Sequence, residues 1–144
     1  MAEALKNTNL FISTDKTRLD FEVLNKFLLS AYWSKNRTKE QIKTAVANSV
    51  FFGVYLKNEQ IGFARVLSDN VTVAFLFDVF ILDKFRGQGY GKDLIKYVLN
   101  YHDFRDVKKW MLATQDAHKL YEKSGFKHLK NPENLMEMFP SKKL

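Results

Sequence analysis

The sequence predicts an α/β domain built on a mixed β-sheet. Short apolar segments typical of strands alternate with amphipathic segments typical of helices, as expected for this class. Three consecutive strand-like segments near the middle predict antiparallel neighbours. A later strand, helix and strand in succession predict a parallel pair joined by a right-handed crossover. We therefore expect a mostly antiparallel sheet with one parallel pair, flanked by helices.

The first half of the chain should form a strand, two helices and two more strands. Residues 9–14 (NLFIST) are typical of a short strand. Apolar residues at helical spacing predict a first helix over 20–31. Thr38 and Gln41 have the spacing of a capping box, which predicts the start of a second helix. Residues 50–56 and 61–68 are strand-like and are separated by the turn KNEQ.

The second half should continue with a long strand over 71–82 and then a glycine-rich turn. The helix that follows presents one apolar face, formed by Leu94, Ile95, Val98 and Tyr101. Residues 107–114 are predicted as a strand, and a short helix near 116–124 should stop at Gly125. A last hairpin is expected to pair 126–129 with 135–139 through a turn at residues 131 and 132.

Length and composition predict one domain over residues 1–144. The chain is 46% hydrophobic and 15% aromatic, which is ample for a packed core. Without an apolar run of membrane-spanning length or a secretion-type N-terminus, we expect a cytoplasmic protein with no membrane partner. The chain contains no cysteine, which excludes disulfides, thiol catalysis and cysteine-ligated zinc.

The formal net charge of +7 is compatible with an anionic partner. Nucleic acid, a membrane surface or a phosphorylated small molecule would each suit such a charge, and so would an ordinary solvated surface. The basic and aromatic residues do not cluster in an RNP-like or helix-turn-helix pattern, so the sequence does not favour a nucleic-acid-binding module.

The stretch RGQGYG, residues 86–91, carries a glycine at every second position directly after an apolar strand. It is not a P-loop, because Asp93 stands where the magnesium-binding hydroxyl is needed. It is not a dinucleotide fingerprint, because Lys92 takes the place of the third glycine. A strand-to-helix turn with exposed main-chain amides can bind a diphosphate without special side chains. We interpret the stretch as such a cradle; the alternative is a plain glycine-rich turn.

With these residues the sequence resembles the GNAT superfamily of acetyl-CoA-dependent N-acetyltransferases. The family signature [QR]-x-x-G-x-[GA] is matched by Arg86, Gly89 and Gly91. A second block, A-x-x-L-Y-x-x-x-G-F, is matched at Ala117, Leu120, Tyr121, Gly125 and Phe126. The resemblance covers about residues 9–139 and implies the GNAT fold, in which the strand before the glycine turn splays from the next parallel strand.

The resemblance implies acetyl-CoA as the acyl donor and the amine of a small molecule or peptide as the acceptor. Pantetheine would lie in the splayed opening and bond the main chain of Val79, Phe80 and Ile81. The diphosphate would bind the backbone of the turn, formed by Arg86, Gly87, Gln88, Gly89, Tyr90, Gly91 and Lys92. Thr114 occupies a position where the family often has a cofactor-binding Asn. The family also includes many homodimers.

Two residues are candidates for catalysis by attack of an amine on a thioester. Tyr121 matches the family tyrosine near the cofactor sulfur and would act as general acid; its alternative role is to pack the helix on the sheet. Asp78 interrupts an apolar strand and must face something polar. It would accept the amine proton through water or attract a cationic acceptor, unless neighbouring main chain satisfies it.

Acceptor selection is expected from the segment between the first two helices, where Tyr32, Trp33 and Arg37 are the candidate residues. Trp33 could equally pack under the helix pair, and Arg37 could be an ordinary surface residue. No cluster of His, Asp and Glu has metal-ligand spacing, and the chemistry needs no metal. Besides an enzyme, the sequence leaves open a GNAT-like sensor that binds acyl-CoA without turnover.

Overall fold

The computed structural model describes residues 9–140, which form one five-stranded sheet with helices on both faces. In chain order the elements are β1 Leu10–Ser13, α1 Phe21–Ser30, α2 Lys39–Ala47, β2 Val50–Leu56, β3 Glu59–Ser68, β4 Ala74–Ile81, α3 Tyr90–Leu99, β5 Trp110–Leu112 and α4 His118–Glu122. The strands lie side by side in sequence order. The first four pair antiparallel, and β5 is parallel to β4. The predicted mixed sheet with one parallel pair is confirmed.

Strand β2 shows why the sheet is covered on both faces. Its residues Phe51 and Phe52 are adjacent, so their side chains point to opposite faces. Phe52 packs in the core that α3 covers, with Leu94 and Val98. Phe51 packs in the core that α1 and α2 cover. This two-sided burial explains the unbroken apolar run of β2.

Local side-chain bonds set the ends of several elements. Thr38 and Gln41 form the predicted capping box at the start of α2. The strand predicted over 71–82 is shorter at its start, because the Asp69 carboxylate accepts hydrogen bonds from the amides of residues 71–73 and holds them in a turn. The strand predicted over 107–114 is confined to Trp110–Leu112.

The predicted C-terminal hairpin is wrong. No strand occurs within residues 126–140, and Pro132–Asn134 form a single 3-10 turn. Residues 129–140 are exposed, and among their apolar side chains those of Met136, Met138 and Phe139 are the least covered by the described chain. Among the described helices, none has the length and apolar character needed to cross a bilayer.

Candidate functional site

An opening between β4 and β5 lies at the centre of the candidate site. The two strands pair at only three positions, Ala74 with Trp110, Phe75 with Met111 and Leu76 with Leu112. Strand β4 continues to Ile81, whereas β5 ends at Leu112. Among residues 9–140, the edge of β4 that faces away from β3 therefore has no strand partner from residue 77 to residue 81. An unpaired edge offers main-chain donors and acceptors to a ligand.

The glycine turn lies at the far end of this opening. Gly87 and Gly89 have φ values of 79° and 86°, a left-handed conformation that a side chain would strain. Gly89 is the N-cap of α3, where no side chain caps the helix. The amides of Gly87, Gln88, Gly89, Gly91 and Lys92 donate to no acceptor within residues 9–140. Those amides and the positive end of α3 form an anion-binding arrangement.

A cavity of about 490 Å³ connects the turn to the β4 edge. Its walls include main chain and side chains of the predicted cofactor residues Val79, Phe80, Ile81, Arg86, Gly87, Gly89, Tyr90, Gly91 and Lys92. Arg86 braces the turn, since its Nε donates to the Ile81 carbonyl at 3.0 Å. Lys92 and Lys123 line the same cavity and add positive charge.

Four predicted cofactor residues have more specific positions. The Phe80 and Tyr90 side chains are 3% and 5% exposed, so these residues are mainly part of the core. Gln88 is exposed and does not line the cavity. Thr114 lies outside this cavity as well, and its hydroxyl accepts a hydrogen bond from the Ala117 amide at 3.0 Å. That bond gives Thr114 a structural role at the start of α4.

A second cavity, of about 480 Å³, adjoins the first. All three predicted acceptor residues, Tyr32, Trp33 and Arg37, line it. Tyr32 and Trp33 are 49% and 42% exposed, and their rings meet edge to face at 5.2 Å. The two cavities share the residues Trp33, Val79, Asp116, Ala117 and Tyr121. The structure thus joins a long cleft to an aromatic-walled chamber.

Tyr121 lies where the two cavities meet. The residue is 9% exposed, and its ring packs edge to face on Phe126 with ring centroids 5.9 Å apart. Within the described chain, its hydroxyl has no hydrogen-bond partner. Burial, with smaller effects of Tyr32 and Asp116, raises the pKa of Tyr121 to about 12. The phenol therefore keeps its proton at neutral pH and can donate a hydrogen bond into the junction.

Asp78 lies at a β-bulge and lines the aromatic-walled chamber. The β3–β4 register gains one residue on β4 between Phe77 and Phe80, and Asp78 has a φ of 54° there. Its carboxylate receives Trp33 Nε1 at 2.9 Å, both terminal nitrogens of Arg37, and Arg65 Nε at 2.7 Å. The side chain is 2% exposed.

The arginines determine the ionisation of Asp78. Burial by itself raises the pKa of this carboxyl, but the hydrogen bonds and charges of Arg37 and Arg65 outweigh burial and hold the pKa below its ordinary value. Asp78 is therefore ionised at neutral pH, with both oxygens already bonded to donors. These contacts favour an anchoring role for Asp78 over the predicted role as proton acceptor.

Sequence reasoning missed two residues of this site. Arg65 bonds Asp78, lies 4.5 Å over the Phe77 ring and donates to the Ser49 hydroxyl at 3.2 Å. The sequence did contain an indication of this contact. Arg65 and Asp78 are oppositely charged residues, and each lies inside the apolar run of its strand. Asp116 is exposed and lines both cavities next to Tyr121, but its position in a polar loop gave no signal.

Comparison with known proteins identifies the family. The sequence profile of the Acetyltransferase (GNAT) family matches residues 19–126. The chain belongs to the GNAT family. An uncharacterised N-acetyltransferase named ycf52-like from Prochlorococcus marinus is 31% identical to this GNAT protein over 122 residues, which cover 81% of this chain and 67% of the relative.

Solved structures share the fold of this GNAT chain. A crystal structure from Xanthomonas campestris pv. campestris, assigned to the GNAT family, is 36% identical with a TM-score of 0.87 and covers 91% of this chain and 93% of its own. A GNAT family acetyltransferase from Elizabethkingia anophelis, solved with acetyl-CoA bound, is 21% identical with a TM-score of 0.68; the match covers 94% and 91% of the two chains. Within residues 9–140 of the GNAT chain, no group of His, Asp and Glu could hold a metal ion.

Asp78 is the carboxylate of the buried ion cluster in this GNAT protein, and we expect its removal to have a large effect on the free energy of unfolding. Asp78→Asn should lower the free energy of unfolding by about 3–5 kcal/mol at neutral pH, because two largely buried arginines lose their counter-ion. Urea unfolding followed by circular dichroism measures this difference. Asp106→Asn, which removes an exposed pair with Arg105, should cost about 1 kcal/mol or less.

The same cluster predicts a pH dependence. Because the pKa of Asp78 is lower in the folded than in the unfolded state, its stabilising contribution is complete above the ordinary carboxyl pKa and falls as the pH drops towards the folded-state value. The stability gap between the native chain and Asp78→Asn should therefore narrow below about pH 4. If Asp78→Asn lowers the free energy of unfolding at neutral pH by as little as Asp106→Asn does, the interpretation of Asp78 as the centre of a buried ion cluster is wrong.

Proposed function

We propose that this protein transfers an acetyl group from acetyl-CoA to a primary amine of a small molecule or peptide. The observation that carries the proposal is that two cavities meet at Tyr121. One of these cavities runs along the open β4 edge to the free amides of the glycine turn. GNAT membership supports acetyltransferase chemistry, and the related fold from Elizabethkingia anophelis holds acetyl-CoA.

Successive parts of the cleft would bind successive parts of coenzyme A. The diphosphate would accept hydrogen bonds from the amides of the glycine turn, where the positive end of α3 lowers the energy of an anion. A Cβ at Gly87 or Gly89 would meet no protein atom within 4 Å, so the space in front of these residues is open to the phosphate oxygens. Pantetheine would extend along the main chain of Val79, Phe80 and Ile81.

The aromatic chamber would hold the acceptor. Tyr32 and Trp33 would wall the bound amine, and Arg37 would act mainly by fixing Asp78 and Trp33 in place. The acidic residues among the described chamber walls are Asp78 and Asp116. Since Asp78 is neutralised by two arginines, Asp116 is the carboxylate that would attract the ammonium form of the acceptor towards Tyr121.

The reaction would be a direct attack in a ternary complex. The neutral amine nitrogen forms a bond to the thioester carbonyl carbon, and the carbon–sulfur bond then breaks to give the amide and coenzyme A. An alkylamine has a pKa near 10.4, so one proton must leave it for solvent before attack, through water in the open chamber. A second proton passes from the nitrogen of the tetrahedral intermediate towards the sulfur. A main-chain amide on the free β4 edge would stabilise the oxyanion.

Tyr121 would assist the leaving sulfur. A thiol pKa near 8.5 lies well below the value of about 12 for Tyr121, so complete transfer of the phenol proton to the thiolate is unfavourable. We therefore assign Tyr121 mainly a hydrogen bond to the developing thiolate, which refines its predicted role as general acid. Asp78 would position Trp33 and the bulge, in place of its predicted role as base.

Replacement of Tyr121 tests the chemical step. Tyr121→Phe should lower kcat by about 10²-fold while leaving the KM for acetyl-CoA nearly unchanged, because only the hydroxyl is lost. The assay is release of free thiol from acetyl-CoA across a panel of primary amines. Tyr97→Phe, which alters a ring in the α3-covered core, serves as the matched control with native turnover. Coenzyme binding without thiol release for any amine would instead indicate a sensor.

Replacement of a turn glycine tests the coenzyme cradle separately. Gly89→Ala should weaken coenzyme A binding by about tenfold or more in calorimetry, because the φ of 86° strains an alanine and its Cβ enters the phosphate space. Gly125→Ala is the matched control. Gly125 has a φ of 99° and open space around it but lies just past α4, so this variant should bind coenzyme A as the native chain does. Equal weakening in both variants would contradict the cradle.

A further inference from the structure

The aromatic-walled chamber carries opposite charges at two separate places. One is the ion cluster in which Arg37 and Arg65 both bond Asp78, so two positive groups share one negative group. The other is Asp116, which is exposed and lies where the chamber meets the cleft. Within residues 9–140, Asp116 forms no ion pair with either arginine. The cluster therefore keeps a formal excess of one positive charge.

That excess charge lies in a largely buried position. The side chains of Arg37 and Arg65 are 24% and 11% exposed. A largely buried cation costs free energy unless an anion or several hydrogen bonds compensate it. Asp78 compensates one arginine, and among the residues that the structure describes the other arginine has no carboxylate of its own. The chamber therefore favours a further anion beside the two guanidinium groups.

Arg65 is held in a position that suits the recognition of an anion. Its Nε donates to Asp78, its Nη1 donates to the Ser49 hydroxyl, and its guanidinium carbon lies 4.5 Å from the centre of the Phe77 ring. Its Nη2 has no acceptor within residues 9–140, and the residue lines the chamber. A guanidinium whose plane is already fixed loses little conformational freedom when it binds a carboxylate.

We infer that the acceptor is an amino acid whose primary amine and carboxylate are separated by a spacer of several bonds. The carboxylate would bind at Arg37 and Arg65, and the amine would lie beside Asp116, where the two cavities meet. A spacer is needed because these two charged places do not contact each other. Leu76 and Leu112 also line the chamber and suit a methylene chain. The acceptor class rests on the proposed function, since it names the substrate of that transfer.

The charge of the chamber distinguishes this class from other amines. A polyamine would bring a second ammonium group to the positive cluster, where like charges repel. A phosphate monoester carries a charge of about −1.5 to −2 at neutral pH, which exceeds the single positive charge in excess. One carboxylate matches that charge and the planar fork of a guanidinium. An amine without an anionic group would leave the excess charge uncompensated.

Turnover of matched acceptors gives the first test. The native chain is assayed by release of free thiol with 4-aminobutanoate, 5-aminopentanoate and 6-aminohexanoate, each against its own primary amide. An acid and its amide have nearly the same size, so the comparison isolates the charge of the carboxylate. At least one acid should exceed its amide by about tenfold or more in kcat/KM, and spermidine should be poorer than that acid. Turnover of the amides or of spermidine without preference for any acid would overturn the inference and leave the proposed transfer intact.

Replacement of Arg65 tests whether the ion cluster causes the preference. Arg65→Gln removes the excess charge but leaves Asp78 paired with Arg37, so the acid-to-amide ratio of kcat/KM should fall about tenfold, towards one. Arg65→Lys keeps the charge and should keep part of the ratio. Arg18→Gln is the matched control with the native ratio, because Arg18 also lies over a phenylalanine ring beside an aspartate but does not line the chamber. A native ratio in folded Arg65→Gln would contradict the inference.

Binding without turnover separates the inference from the proposed reaction. The native ¹⁵N-labelled chain with coenzyme A present is titrated with each acid and amide, and the indole N–H of Trp33 is followed by NMR. Trp33 Nε1 donates to Asp78, whereas Trp110 does not line the chamber and serves as an internal control. The Trp33 signal should shift and saturate at a lower concentration of an acid than of its amide.

The two readouts together decide both claims. Selective binding of an acid without release of thiol would support the carboxylate site and contradict the proposed transfer. An equal Trp33 response to acids and amides, or no response to either, would overturn the inference. This titration uses the native chain, so it decides the inference even if Arg65→Gln does not fold.

Discussion

The candidate site depends on the separation of two parallel strands. Strands β4 and β5 share three paired positions and then separate, so within residues 9–140 the last five residues of β4 have no strand partner on the side away from β3. Buried main-chain groups need hydrogen-bond partners, so a free edge inside a fold is costly unless water or a ligand supplies them. The cleft, the glycine turn at its end and the chamber beside it all follow from this divergence.

The buried ion cluster fixes the chamber wall beside this opening. Asp78 occupies a left-handed conformation at a bulge, and such a conformation persists where the surroundings determine it. Arg37 from the segment after α1 and Arg65 from β3 meet there, and Trp33 adds a third donor. One carboxylate thus ties the α1–α2 segment to two strands. Removing this carboxylate would affect both the proposed acceptor chamber and the stability of the fold. The proposed coenzyme cleft, in contrast, relies mainly on main-chain groups.

Much of this arrangement follows from local sequence patterns, and the remainder depends on which segments meet in space. The capping box at Thr38 and the glycine turn at Gly89 are set by neighbouring residues, so the sequence alone predicted them. The association of Arg65 with Asp78 depends on the β3–β4 register and on a bulge, neither of which has a local signal. The prediction of a C-terminal hairpin failed for a related reason: the apolar pattern of 135–139 is typical of a strand, but a strand also needs an edge to pair with, and no local signal specifies one.

In the proposed function, free main-chain amides at the start of α3 bind the diphosphate of coenzyme A. The most direct measurement of this binding is a titration of ¹⁵N-labelled protein with coenzyme A, followed by amide NMR shifts. The account predicts that the largest shifts fall on the glycine turn, at Gly87, Gly89, Gly91 and Lys92, because these amides gain charged acceptors. Coenzyme binding that leaves these four amides unchanged, or no binding at all, would contradict it.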